Sequence, residues 1–304
     1  MTASSVLVAG SLHHDVIVRA ERLPALDETL PGSSVAYIFG GKGGNQALAA
    51  ARHGAATAMA GRVGRDAAGA FMLEELDRAG VDRSMVRVDE AASTGMSVAI
   101  VAADGDYGAV IVSGANLAIA AEEIEIPATA RVVLLQNEIL EPANVEIAAK
   151  ARAAGALTVL NAAPARPPNS DLFRAVDLLV VNRVEAAALA GLPVESPEDA
   201  AQAAWLLAGA SRAAIVTLGA DGAVLSENSG APRHFPAPPV EVVVSTHGAG
   251  DAFAGALAAR IASGAPLDAA ITYAQAAAAL HVSRDAEGQR RITPAEVFAL
   301  LGQA

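Results

Sequence analysis

The stretch Ser245-Thr246-His247-Gly248-Ala249-Gly250-Asp251 gathers residue types suited to handling a phosphoryl group. It follows a β-branched run at residues 240–244 and precedes an Ala-rich helical pattern at 252–261, so it reads as strand, glycine turn, helix. Gly248 and Gly250 let backbone N–H groups, including that of Ala249, converge at a helix N-terminus, where unpaired amides and the helix dipole favour an anion. Asp251 falls in the first turn of that helix, placed to accept the proton of an attacking hydroxyl. That chemistry is phosphoryl transfer to a small alcohol. The plainer reading is an Asp that caps a helix, and other stretches must decide between the two.

Gly40-Gly41-Lys42-Gly43-Gly44-Asn45-Gln46-Ala47 is the second such stretch, opening a helical pattern that ends near His53-Gly54. Its glycines allow backbone to approach a ligand closely, Lys42 supplies charge, and Asn45 offers donor and acceptor to a hydroxylated molecule. It has neither the Walker A spacing nor the Gly-x-Gly-x-x-Gly fingerprint, and a tight packing turn is its structural alternative. Residues 6–10 read as a buried parallel strand. At its carboxyl end, where ligands of parallel sheets gather, stand Ser11-Leu12-His13-His14-Asp15, which makes Asp15 a candidate substrate contact. His13 and His14 point to opposite faces of a strand, which argues against a shared metal ion. Arg62 and Arg65 read as solvated or paired surface cations.

Holding these residues together requires a parallel sheet, and the chain alternates accordingly. Strands are expected at residues 58–61, 132–135, 157–160, 178–181 and 214–216, with helices at about 66–80 and 142–155 between them. Each of the later strands hands over to polar residues at its carboxyl end: Gln136-Asn137-Glu138, Asn161 to Arg166, Asn182 to Glu185, and Thr217 to Gly222. Singly, each of these fits a helix cap; together they line one sheet edge. Residues 93–101 and 107–113, joined across Asp104-Gly105, read as a hairpin. With the short strands of residues 12–40 it is expected to form a small β lid, with Ser97, Ala99 and Ile111 facing the covered space. The expected fold class is therefore α/β. Its large domain takes residues 1–11, 41–92 and 117–304, and the lid residues 12–40 and 93–116.

Composition narrows the function classes. Hydrophobic residues make up 53% of 304, enough for a large core, yet no uninterrupted run is long enough to span a membrane. The first residues lack the basic and apolar regions of an export signal, and there are no cysteines, so a cytoplasmic location is expected. A net charge of −12 argues against a nucleic-acid partner.

With these residues assembled, the chain resembles the ribokinase-like (PfkB) carbohydrate kinase family from Val6 to about Leu300, closest in motif to its ribokinases. Gly40 to Ala47 resembles the family's first signature and Thr246 to Asp251 most of its second; Asp15, Asn161 to Arg166, Asn182 with Glu185, and Thr217 to Gly219 match in between. The resemblance implies a three-layer α/β/α sandwich with a β lid that often mediates dimerisation. It also implies ATP- and Mg2+-dependent phosphorylation of a hydroxymethyl group on a free sugar. Carried onto matching positions, Asp251 would be the base and Gly248, Ala249 and Gly250 the anion hole. Asp15, Gly41, Lys42, Asn45 and Glu138 would hold the sugar. Asn182, Glu185, Thr217, Gly219, Ala220, Gly222 and Gln275 would line the ATP side, with Glu185 reaching magnesium through water.

The chain also departs from the pattern. Ser245 stands where an Asp commonly helps hold an activating monovalent cation, and Arg290 or Arg291 is expected to bring positive charge to that neighbourhood instead. His13 replaces an Asn common among ribose-specific members, and Ser97 and Ala99 leave a roomier lid face, which opens the pocket to another pentose, a hexose or a nucleoside. The alternatives to a sugar kinase are a nucleoside kinase of adenosine or pseudouridine type and a non-catalytic sugar-binding relative. Only 3% aromatic residues offer little platform for a base.

Overall fold

Successive side chains of the first strand, β1 (Val6–Ala9), enter different hydrophobic clusters. Val6 and Val8 pack into one and Leu7 and Ala9 into the other. All four are fully buried, so a strand apolar without alternation lies between two layers of helix. The computed structural model describes residues 5–167, 170–228 and 230–302; the first four residues, part of the stretch read for an export signal, lie outside them.

In chain order β1 is followed by β2 (His13–Ala20), β3 (Gly32–Gly40), α1 (Lys42–Arg52), β4 (Thr57–Gly64), α2 (Ala67–Arg78) and β5 (Asp82–Asp89). Next come β6 (Gly95–Val101), β7 (Tyr107–Val112), β8 (Val132–Gln136), α3 (Glu141–Ala153), β9 (Leu157–Asn161) and α4 (Ser170–Ala175). They lead into β10 (Leu178–Asn182), α5 (Arg183–Ala190), α6 (Pro197–Ala210), β11 (Ala213–Thr217), β12 (Ala223–Glu227) and β13 (Arg233–Phe235). The chain ends with α7 (Ala249–Ala262), α8 (Leu267–Val282), α9 (Ala286–Arg290) and α10 (Pro294–Leu300).

The central sheet has nine strands in the order β13-β12-β11-β10-β9-β8-β1-β4-β5. It is parallel except at the β12 and β13 edge. From β1 the chain proceeds outward to β4 and β5, then returns to β8 on the other side and proceeds through β9 and β10. Strand order therefore reverses between β1 and β8, and the crevice outside their carboxyl ends is where such a sheet binds ligands. Helices α1, α2, α7 and α8 pack on one face, α3, α5 and α6 on the other. A separate four-stranded sheet, β3-β2-β6-β7, is built from the segments expected to form the lid. β6 and β7 pair as an antiparallel hairpin with Val101 opposite Tyr107.

The β-branched run at residues 240–244 is not a strand. Val242, Val243 and Val244 are exposed, and Val244 N–H donates only to the Val282 carbonyl. β propensity is realised through pairing and burial against a neighbour, and the sheet already ends at β13. The antiparallel strands β12 and β13 went unrecognised in the sequence.

Candidate active site

α1 and α7 lie side by side because small residues meet where they touch. A Cβ on Gly255 of α7 would lie 2.5 Å from the Ala49 Cβ of α1, closer than side chains tolerate. Gly255 lies one helical turn beyond Asp251, so this contact draws the two helix N-termini together. Asp251 Oδ1 accepts from Gln46 Nε2 at 2.9 Å and Oδ2 from Asn45 Nδ2 at 3.3 Å. The second signature thereby meets the first, residues 206 positions apart in the chain for Asn45 and Asp251.

Asp251 is 7% exposed. Burial pushes its carboxyl above the usual carboxylate range, against the pull of the Lys42 charge and the two amide donors. Glu138 adds a nearby negative charge. A carboxylate destabilised in this way, but still held by donors, is a stronger base than a solvated one.

Gly248 caps α7 with φ 77° and ψ 0°, a left-handed conformation that suits glycine. Ala249 N–H closes the turn onto the Thr246 carbonyl at 3.3 Å and Ala252 N–H bonds the Gly248 carbonyl at 2.9 Å. Of the amides expected to face an anion, that of Ala249 is thus engaged in the turn. The Gly250 and Asp251 amides have no acceptor among the described residues.

The expected sugar-side residues converge from three elements. Glu138, just past β8, accepts from Ser11 Oγ at 2.5 Å and from Lys42 N–H at 2.8 Å, with His13 Nδ1 4.0 Å away. Asp15 on β2 accepts from Ser97 Oγ of β6 at 2.6 Å, and lies within electrostatic reach of His13, His247 and Glu138. Burial raises the Asp15 carboxyl despite the Ser97 hydrogen bond. Gly40 makes room for it, since a Cβ there would sit 2.0 Å from Asp15 Oδ2. Gly41 has φ 83°, and a Cβ on Gly43 would approach Ser11 N to 2.6 Å. The packing reading of the glycine motif therefore holds alongside the functional one.

On the other side of Asp251 a small cavity of about 50 Å³ is lined by Lys42, Asn161, Asn182, Glu185, Thr217 and Gly250, with apolar residues. Asn182 and Glu185 form a reciprocal capping box at the start of α5, which accounts for both residues structurally. Glu185 Oε2 takes the Asn182 N–H at 2.8 Å, and burial raises its carboxyl against that bond and Lys42. One carboxylate beside this cavity fits magnesium, which keeps most of its waters; no cluster of three potential ligands exists among the described residues. Gly219 and Ala220 are exposed in a short turn after β11, and a Cβ on Gly222 would strike the Phe235 carbonyl. Gln275 is buried in α8 with both amide atoms unpartnered, and lines neither cavity described here.

A second cavity, about 140 Å³, runs from Asp251 and Asn45 along α1 to Arg52 and Arg290. Around Ser245, two oxygens that a monovalent cation could use already have partners. The Ser245 hydroxyl takes the His247 N–H at 3.2 Å, and the His247 carbonyl is bonded to His281. Arg290 lines this cavity as expected, whereas Arg291 pairs with Glu287 and is solvent-exposed. Gln46 and Ser11 were missed as site residues; Gln46 lay within the first glycine motif and Ser11 carries no signal beyond its place at a strand end, whereas Ser97, expected to face the covered space, meets Asp15 there.

A helix start with unpaired amides, a buried carboxyl and converging polar groups at the switch point of a mostly parallel sheet fit a carbohydrate kinase. The chain belongs to the pfkB family of carbohydrate kinases, whose model matches residues 3–290. Its activity is that of this class, transfer of a phosphoryl group from ATP to a sugar hydroxyl. The chain is 37% identical to the ribokinase of Mus musculus over 263 residues, 84% of this chain and 81% of that protein. It is 33% identical to the ribokinase of Arabidopsis thaliana over 289 residues, 92% of this chain and 76% of that protein. The solved structure of Arabidopsis thaliana ribokinase complexed with ribose and ATP superposes with a TM-score of 0.91 at 31% identity, covering 99% of both chains.

Proposed function

We propose that the chain phosphorylates the hydroxymethyl group of a free pentose, with ribose the first candidate. The carrying observation is Asp251, buried at the start of α7 and held by Asn45 and Gln46 of the first glycine motif. The relatives named ribokinase support the choice of sugar.

In this reading Asp15, Gly41, Lys42, Asn45 and Glu138 orient the sugar so that its hydroxyl faces Asp251. Asp251 takes the hydroxyl proton as the oxygen attacks the γ-phosphorus and the bond from that phosphorus to the bridging oxygen breaks, so that ADP leaves. Amides at the start of α7, between Gly248 and Asp251, and the Lys42 charge stabilise the transferring group. Alignment and charge neutralisation are most of what phosphoryl transfer asks of a protein. Asn182, Glu185, Thr217, Gly219, Ala220, Gly222 and Gln275 form the nucleotide side, where Glu185 would hold magnesium. Bound magnesium supplies neutralisation of the phosphate oxygens.

The smaller sheet acts as the lid. Its exposed Tyr107, Val110 and Val112 support pairing with a second copy of the chain; Ile111, expected to face the covered space, is exposed as well. No described helix is long and apolar enough to cross a membrane, which fits work in the cytoplasm. The test is ADP release by purified protein with ATP, Mg2+ and a panel of sugars and nucleosides. Turnover confined to nucleosides, or none at all, would overturn the assignment of a free sugar.

A further inference from the structure

In an α-helix the Asp251 N–H would bond the carbonyl four residues back, that of His247. Here it does not, because Asp251 is only the third residue of α7 and a helix start leaves its first amides unpaired; the His247 carbonyl, outside the helix, meets His281 Nε2 at 2.9 Å. His281 sits in the last turn of α8, and its ring lies against Gly248, where a Cβ would come within 3.1 Å of Nε2. His281 Nδ1 is buried without a partner, so the ring carries its proton on Nε2 and donates it to the carbonyl. A residue present only to fill space would avoid an unpaired buried nitrogen. Burial keeps the imidazole below its ordinary range; Arg52 and His247 add to that, while the bond to the His247 carbonyl and the charge of Asp251 oppose it. Gln289 Nε2 donates to the His281 carbonyl at 3.1 Å and ties the end of α8 to α9.

We propose that His281 is a positioning residue for phosphoryl transfer: its Nε2–H holds the His247 carbonyl away from α7, so that the Asp251 amide stays free for the transferring group. The step rests on the anion role given above to the start of α7. Without the imidazole, the carbonyl is released toward that amide and competes with the phosphoryl oxygens for it. His281 lines the larger cavity beside Gly248 and Asp251 but makes no hydrogen bond to Asp251, so its effect falls on the transition state rather than on ground-state binding.

The experiment compares wild type, His281→Ala and His281→Gln in the full-length protein. The Gln side chain carries an N–H donor at about the reach of Nε2. His281→Ala should lower kcat about tenfold or more, with KM for ATP and sugar within about twofold, and His281→Gln should recover most of the loss. Calorimetry with ADP, Mg2+ and fluoroaluminate, a mimic of the transferring phosphoryl group, should show the same order of affinities while ADP alone binds all three equally. Full kcat in His281→Ala, or an equal loss in Ala and Gln, would overturn the proposal. If wild type phosphorylates no sugar, the functional reading fails instead, and equal fluoroaluminate affinity in wild type and His281→Ala still overturns the role of His281.

Discussion

Gln46 donates through Nε2 to Asp251 Oδ1, and its own Oε1 accepts from Gln136 Nε2 at 2.8 Å. Gln136 is anchored in turn, its carbonyl taking Asn144 Nδ2 at 2.8 Å. All of these groups are buried. Gln136 thus fixes which end of the Gln46 amide faces the base, and the centre of the sheet sets the proton affinity of Asp251 through one intermediate side chain.

Gln46→Leu removes a donor that favours the ionised carboxylate. A hydrogen bond to a charged group contributes about 1.5–3 kcal/mol, which corresponds to roughly one to two pH units. The sign is upward: with less support for the anion, Asp251 protonates at higher pH. The acid limb of the kcat profile should move to higher pH by that order, and an unmoved limb would remove Gln46 from the control of the base.

Asp251→Asn removes the base. It should lower kcat by about 10²–10⁴-fold with little change in KM for ATP, because the proton moves only in the transition state. Stability should respond in the opposite sense. The folded carboxyl has its pKa above the unfolded value, so its stabilising contribution is present below the unfolded pKa and is lost as pH rises through the folded one. At neutral pH the wild type holds a desolvated charge that the amide does not. Thermal melts at pH 7.5 should place the variant at or above wild type; a clear loss of melting temperature would show that the carboxylate is structural rather than a strained functional group.

The architecture was readable because parallel strands buried on both faces leave continuous apolar runs, and each ends in polar residues at the site. β1, β8, β9, β10 and β11 were all found this way. The run at 240–244 misled because β-branched residues record only compatibility with a strand, while a neighbour to pair with is a property of the whole sheet. β12 and β13 lie on an antiparallel edge outside the alternation. Asn45, Lys42 and Asp251 were legible because their motifs are local. Gln46 was not, since its role depends on Gln136, 90 positions away. His281 was equally silent, a lone histidine in an Ala-rich helix whose meaning comes from a carbonyl 34 positions earlier.

Gly40→Ala tests how Asp15 is held. A methyl group there would lie 2.0 Å from Asp15 Oδ2 and 2.5 Å from its Cγ, so the carboxylate must swing away and give up the Ser97 bond. The obstacle is a side-chain end rather than backbone, so the fold should survive. Because Asp15 is assigned to sugar orientation, KM for the sugar should rise about tenfold or more, as expected for a lost charge-assisted hydrogen bond, with KM for ATP unchanged. An unaltered sugar KM would take Asp15 out of the pocket.

Ser245 and its surroundings predict how turnover responds to monovalent cations. A potassium ion needs several oxygens and is helped by a carboxylate; here the Ser245 hydroxyl and the His247 carbonyl are already engaged. Arg290 adds a guanidinium to the adjoining cavity, about two-thirds exposed and 3.8 Å from Glu75. A positive charge in that position disfavours a second cation; Glu75 offsets part of it, and the Ser245 hydroxyl brings no charge of its own. Turnover should therefore be the same within about twofold in potassium and in tetramethylammonium at equal ionic strength, a match that also keeps general screening constant. Ser245→Asp with Arg290→Ala should begin to restore a potassium response by returning a carboxylate and removing the competing charge. Strong potassium activation of the wild type would mean that oxygens other than those of Ser245 and His247 hold the ion, and that Arg290 does not oppose it.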